Sequence, residues 1–337
     1  MPLLAFTVAI AFWPGLLSSA VAPRWALMAV GLPLCSRLDP REIDPRAQIL
    51  IGALLTYAAA SLLWSTGPLD GWNDLFRLLI FLGAILAGSN QEDLSPVMRA
   101  MAWGVAVSAL LVPFQLAGHS PVDEASIPAG LFYNRDFLAE AAAVFFVWAV
   151  FSREVWLAAL LAIPLAVSGS RVALLCAAAG ILSAGSRKTM IGAACLVAVA
   201  VGVMFVFPNK IGSAETRLVL WQGGIGGIVP FGQGLGSFMA AHPTWEYAHS
   251  DLIQSFYELG IGAIPLLAFL IFATISPASA AIRGAMVCVF GEYLIAFPLH
   301  LPATTLVAGL LAGNLVRGRT AARAFGYVGR GGLVANA

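Results

Sequence analysis

Residues 266–275 read LLAFLIFATI and residues 196–207 read LVAVAVGVMFVF. Neither stretch holds a charge, and apolar runs of this kind recur from one end of the chain to the other. The composition extends the reading to all 337 residues: 60% are hydrophobic and 10% charged, against roughly 25% charged in soluble domains, and mean hydropathy is +0.89. The sequence therefore predicts an all-α polytopic transmembrane helix bundle, a single integral membrane domain over 1–337. The formal net charge of +1 and the lack of a basic run give no footing for nucleic acid.

Breaks at Pro, Gly and charged clusters divide the chain into about 12 spans. Their predicted bounds are 3–19, 23–36, 47–64, 75–88, 100–117, 137–151, 155–168, 171–185, 189–207, 251–273, 284–298 and 301–316. The opening MPLLAFTVAIAFWPGLL lacks a basic leader and a small-residue cleavage site before its end, so it reads as a first span. Cys35, Cys176, Cys195 and Cys288 stand apart in apolar segments and read as small hydrophobes.

Orientation follows from the placement of Lys and Arg. With the N-terminus in the cytoplasm, the inner loops hold Arg37, Arg41, Arg46, Arg99, Arg153, Arg187, Lys188 and Arg283, and the inner tail holds Arg317, Arg319, Arg323 and Arg330. The outer side keeps Arg24, Arg77, Arg135, Arg171, Lys210 and Arg217. The loop 118–136 and the longest loop, 208–250, then face outward, and so do His119, His242, His249 and His300. Chemistry on that face has no ATP and needs a substrate that arrives already activated.

The loop 208–250 carries most of the polar detail. Its helical-looking ETRLVLWQ puts Arg217 and Trp221 four apart on one face. The glycine-rich GGIGGIVPFGQGLG that follows lacks the strand and the Lys-Ser/Thr of a nucleotide site, and reads as a re-entrant turn whose amides are available to a phosphate. Then comes HPTWEYAHSDL at 242–252. His249 precedes a span, with Ser250 and Asp251 as cap candidates and Gln254 three residues after Asp251. A helix N-terminus lowers a histidine's pKa, which keeps the imidazole neutral as a general base requires; capping or packing is the other role open to it. His242, Glu246 and His249 form an H-x3-E-x2-H string, but Pro243 and Trp245 argue against the regular helix that a zinc site of this kind uses, so no metal is expected.

Arg171 sits at the start of an apolar run, behind Ser168, Gly169 and Ser170. A guanidinium at that depth marks a functional site or snorkels to the headgroups. With Arg217 on the same face it would make a fork for a di-anion, to which Arg135 would add. Asn134 or Asp136 caps the span that follows. Glu292, inside a predicted span, reads as a structural acid.

The order of these motifs resembles that of the O-antigen ligase / Wzy polymerase family. GLFYNRDFLAE enters a span, SGSR begins a later one, R-x-x-x-W runs from Arg217 to Trp221, P-x-G-x-G-x-G from Pro230 to Gly236, and AHSDLIQSFYELGIGAI follows. The WST at 64–66 fits as well, and the matches extend over roughly 64–265. Ser250 stands where the family often has Asn after the histidine, and Asp136 where it has a second Asn. The resemblance implies a glycosyltransferase of the GT-C type in the bacterial inner membrane, working on the periplasmic face without metal, ATP or cofactor. Its donor would be a glycan on undecaprenyl diphosphate and its acceptor a hydroxyl on lipid A core or on a growing glycan. Arg171 and Arg217 would grip the diphosphate and His249 would deprotonate the acceptor, with Arg135, His242, Glu246 and Trp221 in support and 208–250 as the periplasmic catalytic loop. A ligase of lipopolysaccharide biosynthesis is the first expectation, a polysaccharide polymerase of the same family the second, a transporter of lipid-linked substrates the third, and a non-catalytic assembly factor the fourth.

Overall fold

The computed structural model describes residues 1–12, 21–120, 128–183, 210–242 and 247–317, with isolated positions between 191 and 202. All regular structure among the described residues is helical. The helices are α1 Pro2–Ile10, α2 Ala22–Cys35, α3 Pro45–Ser61, α4 Pro68–Ser89, α5 Ser95–Ala109, α6 Val112–Leu116, α7 Arg135–Phe151, α8 Val155–Ser168, α9 Arg171–Leu182, α10 Lys210–Gly226, α11 Ser237–Ala241, α12 Asp251–Leu259, α13 Ile264–Ile275, α14 Ala280–Ile295 and α15 Pro302–Leu315.

Local chemistry sets many of the starts. Proline stands at a first helical position in α3, α4 and α15, where its missing N–H costs nothing. Asp44, Asn134, Ser250 and Ser279 place side-chain oxygens on the free amides of α3, α7, α12 and α14.

Helices coincide with most predicted spans, and α8 matches 155–168 at both ends. Length separates the two descriptions. Among the described residues, three helices are long and apolar enough to cross a membrane: Pro68–Ser89, Ser95–Leu116 and Asp251–Ile275. A helix such as α8, of 14 residues, rises about 21 Å, short of the roughly 30 Å hydrocarbon core. Among the described residues these three helices support membrane spans by length, with shorter apolar helices at Val155–Ser168, Arg171–Leu182 and Pro302–Leu315 beside them. Most of 189–207 and the second half of 3–19 lie outside the described residues.

The core forms around α15, which is buried from Pro302 through Gly313. Gly313 and Gly88 let it lie against α4, because a side chain at either would collide with the other helix's backbone. Around this pair, α1 packs on α5, and α7, α8, α9 and α14 pack on one another.

The loops gather at two ends of the bundle. At one end Arg99 bonds Glu154 at 2.6 Å, the Asp44 amide donates to Val316, and Asn314 bonds Gln91. At the other, the buried Arg24 donates to the carbonyls of Ala9, Ala11 and Leu131, and the segments carrying most of the motifs meet.

Candidate active site

α7 and α12 enter the site in the same way. Each is preceded by a residue in the left-handed region, Tyr133 at φ 67° and His249 at φ 54°, then by its cap, Asn134 or Ser250. Each carries an aspartate in its first turn, Asp136 or Asp251. Positive φ in non-glycine residues is uncommon and clusters where the surroundings over-determine the backbone. At His249 those surroundings are Ser250, whose Oγ accepts from the Ile253 amide at 3.2 Å and donates to the Leu294 carbonyl at 2.8 Å, and Trp221, whose Nε1 donates to the Ala248 carbonyl at 3.0 Å.

The predicted cap pair resolves differently from its capping-box reading. Ser250 caps alone. Gln254 accepts from the Ala248 amide at 3.2 Å, and Asp251 turns to His300.

Arg217, one turn before Trp221 on α10, lies close enough to His249 to depress its basicity, while Asp136 acts in the opposite sense. Burial is the larger cause, and the imidazole is pushed down to about 4. Glu140, one turn beyond Asp136 and buried, lies in the field of Asp136, Arg217 and Asp251.

Arg171 is the first residue of α9, and Arg135 the first of α7. Gly180 faces Gly284 and Cys176 faces Gly291, so α9 and α14 are antiparallel. Arg171 therefore lies level with the end of α14 and with Phe297, whose ring is 5.0 Å from His249. Arg171, Arg217 and His249 thus belong to one end of the bundle.

The remaining candidates divide. Trp221 holds the loop of His249. His242 belongs to another cluster, stacked on Phe238 at 4.4 Å with Nδ1 3.1 Å from the Phe238 carbonyl and Tyr257 at its edge. Glu246 lies outside the described residues. No three His, Cys, Asp or Glu side chains converge as a metal site among the described residues.

The glycine-rich turn does not offer its amides to a phosphate. Gln233 and Gly234 donate to Tyr257 and Glu258 at the end of α12, Gly232 donates to Val229, and the Phe238 amide bonds the Glu258 carboxyl at 3.2 Å. Gly232, Gly234 and Gly236 all have positive φ. They fill the narrow space between α4 and α12, where Ser65 and Trp64 of the WST segment bond Leu235 and Gly232. The alternating glycines are a packing device.

A second polar group escaped the sequence reading. Asp74 and Arg77 pair on α4 at 2.8 Å. His300, between α14 and α15, holds its Nδ1 2.6 Å from Asp251, whose other oxygen accepts from the Leu299 amide at 2.7 Å. Gln254 lies 3.4 Å from His300 Nε2 and 3.3 Å from Glu258. Tyr247 and Phe297, stacked at 5.1 Å, separate His249 from His300, with Tyr247 4.7 Å from His300. Two signals were available: Arg77 as an ionisable residue inside a predicted span, and Pro68, which starts α4 early enough to carry Asp74.

Beyond this geometry, the sequence matches no protein-family model and no curated protein.

Two expected results arise here. Trp221→Phe keeps the ring and removes the bond to Ala248, a loss of about 1 kcal/mol from the restraint on His249. The midpoint of thermal unfolding of the solubilised protein should fall by a few degrees, as a melting curve beside the wild type would show. The second concerns acid. His249 holds its proton less firmly folded, at about 4, than the ordinary 6.5 of an imidazole. Between those values the unfolded chain binds the proton that the folded chain rejects. The contribution to stability present above 6.5 is therefore lost as pH falls toward 4. Thermal unfolding of the solubilised protein should show a steeper acid decline in wild type than in His249→Asn.

Proposed function

We propose that the chain is an O-antigen ligase-like membrane glycosyltransferase, moving a glycan from undecaprenyl diphosphate to a hydroxyl of lipid A core on the periplasmic face of the inner membrane. The observation that carries the reading is the placement of Arg217 beside His249 at the end of the bundle where α9 begins with Arg171. An oxyanion grip next to a neutral imidazole is the pair of groups that displacement of a lipid diphosphate requires.

In the proposed reaction His249 takes the proton of the acceptor hydroxyl. The oxygen forms a bond to the anomeric carbon, the bond from that carbon to the phosphate oxygen breaks, and its electron pair leaves on the lipid diphosphate. Arg171 and Arg217 stabilise that charge, bidentately if both guanidinium edges engage. An imidazole at about 4 is a weak base, but one of its two depressing causes is the Arg217 cation. A diphosphate seated on Arg217 offsets that field and raises His249 when the donor is in place.

The polymerase of the same family uses the same three residues and differs in acceptor. Transport of a lipid-linked substrate is favoured by a separate observation: Glu140 and Glu292, on adjoining α7 and α14, are buried and each keeps an oxygen unbonded among the described residues, as groups that carry ions or protons do.

The test is a gel of surface glycolipids from a deletion strain complemented with wild type or His249→Ala. Bare lipid A core with long polymer left on the carrier supports the ligase, and core with a single repeat unit supports the polymerase. An unchanged ladder in the deletion strain overturns both for lipopolysaccharide.

A further inference from the structure

The Asp74–Arg77 and Asp251–His300 pairs line a cleft that the proposed chemistry leaves unused. It lies between α4, α12 and the Leu299–His300 turn and opens to the surface. Leu54, Phe81, Leu235 and Leu266 form apolar walls, and Asp74, Arg77, Asp251, Gln254, Glu258 and His300 supply the polar lining. Asp251, Gln254 and Glu258 are buried, and their bonds to the Leu299, Ala248 and Phe238 amides hold them in place.

We propose that this cleft binds an uncharged sugar ring, and that in the transferase it holds the sugar of the acceptor next to the one whose hydroxyl meets His249. The sugar class rests on the cleft alone; the word acceptor rests on the glycosyl-transfer reading.

Charge decides against an anion. Arg77 is engaged by Asp74, and the carboxyl groups of Asp74, Asp251 and Glu258 outnumber the single guanidinium of the lining. A phosphate or a uronate would meet carboxylates before it met a free cation, so diphosphate belongs with Arg171 and Arg217. Hydrogen-bonding capacity favours hydroxyls. The carboxylates of Asp74 and Asp251 only accept, Arg77 only donates, and Gln254 does both. A ring bearing several hydroxyls, each a donor and an acceptor, satisfies such a mixed lining where an apolar ligand leaves it unmet.

His300 adds direction. Nδ1 is held by Asp251, which turns Nε2 to the Gln254 side of the cleft, 3.8 Å from Asp74. A ring hydroxyl, able to donate or accept, is fixed at that nitrogen by a group that Asp251 already orients. Tyr247 and Phe297 form the partition between this ring and His249, so the two sites share a wall.

The experiment is saturation-transfer NMR on the purified full chain in lipid nanodiscs, with methyl β-D-galactoside, methyl β-D-glucoside and N-acetyl-D-glucosamine as neutral probes and D-glucuronate as the anionic one. Saturation should reach at least one neutral sugar and be about tenfold weaker for glucuronate, a discrimination of about 1.4 kcal/mol. It should vanish in Leu299→Trp, which fills the cleft, and in Asp74→Asn, while both variants elute as monodisperse protein. Ser255→Phe, at another point on the lining, is the second filler if Leu299→Trp fails to fold. His249→Ala and Arg217→Ala should keep the signal. No transfer to any neutral sugar, transfer to glucuronate at equal strength, or a signal that survives the fillers would overturn the proposal. Sugar binding in a chain whose deletion leaves every surface glycan unchanged would keep the cleft and remove only the transferase reading.

Discussion

His249→Ala should abolish surface glycan while leaving the protein in the membrane at its normal level. Loss of a positioned base costs about 10²- to 10⁴-fold in rate, enough to empty a glycolipid ladder. The substitution also changes the backbone, because position 249 sits at φ 54°, where alanine is strained by roughly 1–2 kcal/mol. His249→Asn separates the two effects. Asparagine tolerates the left-handed region far better and cannot take a proton at neutral pH. If chemistry is what counts, both variants are dead and Asn is the more heat-stable of the two. Wild-type ladders from both variants would remove His249 from the mechanism.

Arg217→Ala should be nearly as severe, because one oxyanion donor is worth about 10²- to 10³-fold. Arg217→Lys should fall between, since an ammonium keeps the charge and loses the fork. Arg217 has a second signature. It lowers the basicity of His249, so its removal raises that basicity. A base works only when unprotonated, and activity is lost as pH falls through its pKa. The acid limb of the residual activity should therefore move to higher pH in Arg217→Ala, measured by transfer from a lipid-linked donor across the acid range. Arg171→Ala should cost a similar factor in rate. An acid limb that stays at its wild-type position in Arg217→Ala would detach Arg217 from His249, whatever the loss of rate.

The Asp251 side chain illustrates how far the sequence could be read. Its position in HSDL marks a helix start, and a helix does start there. The cap is Ser250, whose oxygen reaches an amide three residues on. Asp251 bonds a histidine 49 residues away, and no local pattern carries that information. Gly232 and Gly234 are a similar case. The spacing marks a turn, while the fate of the amides depends on the end of α12 being within reach. His242 and His249 lie seven positions apart and read as one cluster. The structure gives His242 to Phe238 and Tyr257 and His249 to Phe297.

Composition and local chemistry were sufficient for the helices. So apolar a chain must satisfy its amides internally, and prolines, caps and charge breaks mark most ends, as at 155–168. The gathering of Arg171, Arg217 and His249 at one end was also legible, because predicted spans that alternate in direction sort their loops by parity. Tertiary structure alone decided which polar groups touch. The Asp74–Arg77 and Asp251–His300 pairs, the partition of Tyr247 and Phe297, and the cleft beside them depend on how far each helix slides and rotates against its neighbours. That register is set by close contacts such as Gly88 and Gly313 between distant segments, and a single sequence specifies the faces that pack but not their offset.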